Sequence, residues 1–97
     1  DETVQLVGYN WTVLHTPGHS LGSICLYQPD HKILFSGDTL FQGTFGNTSF
    51  PYSNHQKMQS SLRKLAELPP ETTVFPGHGL PTTIKAESSW IIRKPKG

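Results

Sequence analysis

Three short segments of the sequence share one design, in which a strand-forming stretch ends at a glycine and a side chain able to bind a metal follows it. The first segment ends in Gly18-His19, the second in Gly37-Asp38 and the third in Gly77-His78. Glycine lets the backbone approach a site closely and adopt unusual dihedral angles. Two imidazoles and one carboxylate suit zinc, manganese or non-haem iron. If the three strands lie in one sheet, we expect these side chains to meet at one edge of it.

Each of the three pairs also has an ordinary explanation. A single Gly-His or Gly-Asp pair usually belongs to a surface turn, where the glycine serves only the bend of the chain. The threefold repetition is what favours a shared metal site over three unrelated turns. The residues alone leave both interpretations open.

Five strands are predicted to carry and support these segments. Val, Ile, Thr and aromatic residues are enriched in strands, and runs of them between turn residues predict strands at Val4–Val7, Trp11–Leu14, Ser23–Tyr27, Ile33–Ser36 and Thr72–Phe75. The fourth run is nearly all apolar, so we expect it to be buried on both faces of a sheet. From Leu40 to Tyr52 the sequence predicts a long loop, which in a small domain usually serves a function.

Two helices are predicted in the second half of the chain. Apolar residues recur at helical spacing and form one stripe for core packing: Met58, Leu62, Leu65 and Leu68. Ser53-x-x-Gln56 fits a capping box and Pro69-Pro70 stops the helix, so we expect it over 53–68. A shorter helix is predicted over 82–90, capped by Thr82 or Thr83. The order of elements indicates an α/β (α+β) domain.

Composition excludes several classes of partner. The chain has 97 residues, enough for one small domain, and a formal net charge of +1. That charge gives no strong field for nucleic acid or anionic lipid, and we interpret the basic tail Arg93, Lys94 and Lys96 as aiding solubility. No apolar run reaches the roughly 20 residues of a membrane span. The single cysteine, Cys25, is expected to be a small buried residue, and the lack of a possible disulfide favours a cytoplasmic protein.

The pattern becomes specific in three longer strings: Leu14-His15-Thr16-Pro17-Gly18-His19-Ser20, Leu34-Phe35-Ser36-Gly37-Asp38-Thr39-Leu40-Phe41 and Val74-Phe75-Pro76-Gly77-His78-Gly79. In order and spacing they resemble three successive motifs of the metallo-β-lactamase fold superfamily, most closely its glyoxalase II-like branch. The resemblance implies that residues 1–97 are a single partial domain, the C-terminal half of that fold. The implied architecture is one αβ half of a four-layer αββα sandwich, with a mixed sheet of about five strands and two helices. The family's first motif, His-x-His-x-Asp-His, occurs nowhere in this sequence.

The resemblance also implies a reaction. It makes His19, Asp38 and His78 metal ligands, with two Zn²⁺ in full-length members and Fe or Mn as possible substitutes. Asp38 would bridge the two ions and hold the metal-bound hydroxide that hydrolyses a small-molecule thioester of the hydroxyacylglutathione kind, or an ester. Because the remaining ligands belong to the motif that is absent, we expect the isolated chain to be inactive.

Further residues are assigned by the same resemblance. Phe45, Gly46 and Asn47 match a substrate loop, while His15 and Thr39 lie beside the ligand motifs, where we expect them to support the ligands from behind. Family members commonly carry a basic residue at the position of Asn47, which favours an anionic group through a charged hydrogen bond. Asn47 offers only a neutral hydrogen bond, so the glutathione thioester depends on the family resemblance alone.

Two other interpretations of the function stay open. A persulfide dioxygenase of the same superfamily holds one iron with two His and one Asp, although such relatives usually lack the Gly77-His78-Gly79 string. The chain could also be a non-catalytic structural half-domain. A half without its counterpart exposes an apolar sheet face, so we expect a homodimer or association with the N-terminal half.

Overall fold

Strands and helices alternate along residues 2–91, which are the residues that our computed structural model describes. Within them the elements are β1 (Glu2–Leu6), β2 (Tyr9–His15), β3 (Ile24–Gln28), β4 (Ile33–Gly37), β5 (Leu40–Phe41), β6 (Thr44–Phe45), α1 (His55–Ala66), β7 (Thr73–Pro76), β8 (Thr82–Thr83) and α2 (Ile84–Ser88). The predicted mixed α/β class is confirmed. The three strands β5, β6 and β8 have two residues each and are absent from the sequence prediction.

The main sheet has six strands in the order β1-β2-β3-β4-β7-β8. This is one strand more than the sequence indicates, because the short strand β8 pairs with β7 on the outside of the sheet. Its neighbours are antiparallel except β4 and β7, which are parallel and are connected by a crossover that contains α1. The pairs β2–β3 and β3–β4 are antiparallel, so β2, β4 and β7 run in the same direction. Their carboxyl ends therefore share one edge of the sheet, as expected for the three ligand-bearing segments.

The core lies between one face of the sheet and α1. Met58, Leu62 and Leu65 are completely buried, and they form one cluster with Leu34 and Val74 of the central strands. Burying each such side chain stabilises the fold by about 1.5–3 kcal/mol. The predicted apolar stripe of the helix is confirmed as core packing.

The start of α1 differs from the prediction. The cap is Asn54, whose side chain accepts a hydrogen bond from the Lys57 N–H at 2.8 Å, and no capping box forms at Ser53. The Ser53 hydroxyl instead donates to the His19 carbonyl at 2.8 Å. A neighbouring residue with an equally good capping side chain therefore takes the cap position, and Ser53 is left to hold the site. The cap of α2 is Thr83, one of the two expected residues.

The opposite face of the main sheet is apolar and uncovered in the described residues. We call it the open face, and it includes exposed side chains from five strands: Leu6, Tyr9, Ile24, Phe35 and Phe75. Phe35 is 44% exposed, so the expectation that this strand is buried on both faces is wrong. Leu34 of this strand faces the core and Phe35 faces the open face, so the strand is apolar on both faces although only one of them is covered in the described residues.

The segment 40–52 is not a plain loop, since it begins with the β5–β6 hairpin. The turn of the hairpin contains Gly43, whose φ of +79° is a backbone conformation that glycine adopts readily. In the part of the chain described, neither helix has the length and apolar character needed to cross a membrane. The basic residues Arg93, Lys94 and Lys96, and the solubility role suggested for them, lie outside the described residues.

Candidate metal centre

The three predicted ligands meet beside one pocket at the shared edge of β2, β4 and β7. His19 Nε2 lies 3.9 Å from one carboxylate oxygen of Asp38, and His78 Nδ1 lies 3.8 Å from the other. Ligand atoms around one tetrahedral zinc, with bonds of about 2.0–2.2 Å, lie roughly 3.3–3.6 Å apart. The observed separations are slightly wider, and no group of three or more His, Cys, Asp or Glu side chains within residues 2–91 is preassembled to hold a metal. A metal would have to draw these side chains slightly together.

The orientation of His19 fits a metal ligand. Its Nδ1 lies 2.8 Å from the Asn47 carbonyl, which can only accept, so Nδ1 carries the proton. Nε2 is then the atom with a free lone pair, and it is the atom that faces Asp38. Metal-bound histidines usually donate their other ring N–H to a carbonyl or carboxylate in this way. The Asn47 backbone thus prepares His19 to bind a metal through Nε2.

Two glycines allow the turns that carry His19 and Asp38 to pack closely, a role that the sequence predicts for Gly18 but not for Gly46. A Cβ on Gly18 would lie 2.5 Å from the Cα of Met58, so any side chain there would push the His19 turn away from α1. A Cβ on Gly46 would lie 1.8 Å from the Asp38 carbonyl oxygen. A glycine at position 46 is therefore required by the close approach of two backbones.

Thr39 connects two of the ligand-bearing turns. Its buried hydroxyl lies 3.1 Å from the hydroxyl of Thr16, at the end of β2, and Thr16 in turn contacts the Cys25 thiol at 3.4 Å. Burial raises the pKa of that thiol, more than these hydroxyl groups lower it. Cys25 is 1% exposed, which confirms it as a small core residue. Thr39 thus links the turn that carries Asp38 to the end of β2, and its support of Asp38 as a ligand stays a prediction.

His15 is placed differently from the prediction. Its ring is exposed and lies 3.7 Å from the Glu2 carboxylate on β1, so the expectation of a core or supporting position behind the ligands is wrong. The cause is strand alternation. Leu14 points into the core, so its neighbour His15 points out of it.

The pocket beside the three ligands has a volume of about 690 Å³ and a largely apolar wall. That wall is formed by side chains from the hairpin and from the loops that follow it: Phe41, Phe45, Phe50 and Leu80. No lysine or arginine occurs among the described residues that line it. Asn47 lies at its edge and accepts two hydrogen bonds from Ser49 through its side-chain oxygen, so only its amide N–H₂ is left to contact a ligand.

Two further residues at the site are missed by the sequence reasoning. Phe41 packs on the ring of His78, with ring centroids 4.5 Å apart. Glu87 of α2 is 3% exposed, and its carboxylate accepts hydrogen bonds from the hairpin, from β8 and from Trp90. Burial raises the pKa of Glu87, but the hydrogen bonds from Thr82, Gly43 and Trp90 outweigh this and leave the pKa below its usual value. The sequence signal for Glu87 is its place just after the string Pro81-Thr82-Thr83-Ile84, which fits the family resemblance but assigns Glu87 no role at the site.

Known proteins share sequence and fold with this chain. The sequence profile of the metallo-beta-lactamase superfamily matches residues 2–78. Over 87 residues the chain is 41% identical to hydroxyacylglutathione hydrolase GloC of Haemophilus influenzae, a match that covers 89% of this chain and 41% of that protein.

Two solved structures have the same fold over nearly the whole chain. The BLEG-1 B3 metallo-beta-lactamase superposes with a TM-score of 0.87 at 37% identity, covering 94% of this chain and 44% of that one. TTHA1623 in a di-iron-bound form superposes with a TM-score of 0.81 at 43% identity, covering 91% and 43%. The chain thus spans less than half the length of these relatives. Profile, sequence identity and fold agree, and the chain belongs to the metallo-beta-lactamase superfamily.

Proposed function

We propose that this chain carries part of the active site of a zinc-dependent, glyoxalase II-like hydrolase that acts on thioesters of the hydroxyacylglutathione kind. The observation that carries the proposal is the pair of imidazoles on the two oxygens of Asp38, with His19 already held in the metal-binding tautomer. The similarity of the chain to a hydroxyacylglutathione hydrolase supports thioesters as the substrate class. Because the chain spans 41% of that relative, the proposal concerns a larger protein of which this chain would be the C-terminal half-domain.

The residues that would hold the metal are His19, Asp38 and His78. We propose Zn²⁺ as the metal, with Fe or Mn as alternatives. When bound, such an ion supplies Lewis acidity to a water molecule and to the substrate carbonyl. Asp38 has the central role, since its two oxygens face different imidazoles and can bridge two sites or hold a proton of the attacking water.

The pocket walls determine what part of the substrate lies next to the ligands. Phe45 and its neighbours offer an apolar surface to the acyl portion, and the Asn47 amide offers a neutral donor to a carbonyl or carboxylate oxygen. The Gly46 N–H is already bonded to the Thr39 carbonyl at 3.1 Å, so it orders the loop and does not contact the substrate. Recognition by this chain therefore depends on shape and apolar contact more than on charge.

Zn²⁺ titration calorimetry of the purified chain tests the metal site. We expect weak binding that His78→Ala abolishes, while the control His31→Ala, at an exposed turn, leaves it unchanged. The chain alone is expected to hydrolyse a hydroxyacylglutathione thioester negligibly, because half of the ligand set and of the substrate wall is missing. Equal Zn²⁺ affinity in the wild-type and His78→Ala chains would contradict the assignment. A His-x-His-x-Asp-His motif encoded upstream of Asp1 would support the parent enzyme.

Iron chemistry is the second candidate, because the related TTHA1623 is seen in a di-iron-bound form. A persulfide dioxygenase-like mononuclear iron enzyme would use the same three residues around one ion. Metal analysis of the full-length protein, purified without added metal, followed by parallel thioester and persulfide assays of that protein, separates the two. If the protein binds neither zinc nor iron, and neither the thioester nor the persulfide reacts, the chain is a non-catalytic structural half-domain.

A further inference from the structure

The buried carboxylate of Glu87 has no role in the chemistry described so far. It lies on α2, where one of its oxygens accepts from the Gly43 N–H at 2.8 Å and from the Trp90 indole N–H at 2.6 Å. The other oxygen accepts from the Thr82 hydroxyl. A buried charge is costly unless hydrogen bonds replace its hydration, and three donors surround this one.

The donors connect Glu87 to the pocket wall from two sides. Gly43 is in the turn of the β5–β6 hairpin, so its N–H anchors the tip of the hairpin directly. Trp90 is anchored through its indole N–H, and its ring packs on Phe45 of β6 with centroids 6.3 Å apart. One carboxylate therefore fixes both the turn and one strand of the hairpin.

The hairpin in turn contacts a predicted ligand. Phe41 of β5 packs on the His78 ring with centroids 4.5 Å apart and planes inclined by 36°. The side chain of His78 is 78% exposed, so this aromatic contact is a main constraint on where its ring lies. The position of Phe41 depends on the hairpin, and the hairpin depends on Glu87.

We propose that Glu87 is a positioning residue, which locks the β5–β6 hairpin so that Phe41 holds the ring of His78 beside Asp38 and Phe45 forms the pocket wall. The inference rests on the proposed function in taking His78 as a ligand and the hairpin as a substrate wall. It assigns Glu87 no contact with metal or substrate.

The test compares Glu87→Ala and Glu87→Gln with the control Glu71→Gln, which removes an exposed carboxylate paired with Lys32. In metal-free protein, NMR should show the Gly43 amide proton and the His78 ring protons moving from their wild-type shifts in Glu87→Ala. Glu87→Gln keeps an acceptor oxygen and should restore most of the His78 shift. Glu71→Gln should leave both signals in place. Unchanged His78 ring shifts in Glu87→Ala would overturn the proposal.

A second measurement separates positioning from general destabilisation. Phe41→Leu removes the ring that contacts His78 without touching the buried carboxylate. Glu87→Ala and Phe41→Leu should each weaken Zn²⁺ binding by about tenfold. The double variant should bind Zn²⁺ no more weakly than whichever single variant has the lower affinity. Fully additive losses would mean that Glu87 does not act through Phe41.

If Glu87→Ala does not fold, Trp90→Phe supplies the same information, because it removes one donor and keeps a ring against Phe45. It should shift the Gly43 amide and His78 ring signals in the same direction by a smaller amount, and an unchanged spectrum would overturn the proposal. None of these readouts requires hydrolysis. The hydrolase proposal can therefore fail while the positioning role stands, and the reverse also holds.

Discussion

A few single contacts determine the chemical state of the site. The Asn47 carbonyl selects the tautomer of His19, and the Thr16–Thr39 contact joins the turns that carry His19 and Asp38. The partner of the His19 ring is a backbone carbonyl, and both partners in the second contact are neutral hydroxyl groups. Glu87 is different, because its hydrogen bonds to the hairpin depend on a charge.

Acidification is therefore expected to weaken the fold through Glu87. Its pKa in the folded chain is below the value of 4.5 that applies when it is unfolded, so its contribution to stability is complete above about pH 4.5. That contribution is lost as pH falls through the folded pKa. Urea unfolding between pH 6 and pH 3 should show a steeper loss in the wild type than in Glu87→Gln. Glu71→Gln, at an exposed ion pair, should keep nearly the wild-type slope. Parallel slopes for wild type and Glu87→Gln would show that the carboxylate is not stabilised by folding.

Cys25 should be chemically silent in the folded chain. The thiol is 1% exposed and burial raises its pKa, so both access and thiolate formation are suppressed. Reaction with a thiol reagent at pH 8 should be negligible in native protein and complete in urea. Rapid reaction without denaturant would indicate that the sheet opens locally around β3.

At the level of elements, the residues that begin α1 combine capping with site formation. Asn54→Ala should lower the free energy of unfolding by about 1 kcal/mol, because the helix loses its side-chain cap. Gln56→Ala should have almost no effect, since no capping box forms. Urea denaturation of the two variants checks this. A larger loss of unfolding free energy in Gln56→Ala than in Asn54→Ala would show that the helix begins with a capping box after all.

How far the sequence predicts these elements depends on their length. The strands that precede His19, Asp38 and His78 are recognised because a longer run of strand-forming residues ends at a glycine. The hairpin and β8 are missed because a strand of two residues has no periodicity to read. Ser53 and Asn54 are both good caps, and only the packing of the His19 turn decides between them.

The site shows the same division. Residue type and spacing predict that His19, Asp38 and His78 meet, and their role as ligands stays a prediction. Glu87, in contrast, contacts Gly43, which is 44 positions away in the sequence. The misplacement of His15 and the exposure of Phe35 have one cause, since a string of letters does not show which face of a strand is covered. Both become clear only when the helix is placed on one side of the sheet.

At the scale of the whole molecule, the open face is the feature that we expect to determine how the chain associates in solution. Trp11, Phe35 and Phe75 form a continuous aromatic row across three strands, with centroid separations of 5.2 and 5.7 Å. A contiguous apolar patch of this kind usually marks an interface. For the isolated chain we expect the partner to be a second copy, because a two-fold pair uses the same surface twice.

Light scattering of the purified chain should therefore give a dimer at micromolar concentration, with an interface on the order of 2,000 Å² or more, in the range of obligate dimers. Phe35→Glu puts a charge in the middle of the aromatic row and should give a folded monomer, since an unpaired carboxylate there would be buried in the dimer. Leu21→Glu is the matched control, because Leu21 is 66% exposed but lies in a turn and not on the open face. It should leave the dimer intact. A monodisperse 10.8 kDa wild-type species would show that this chain keeps its aromatic row in water and that the face needs a different partner.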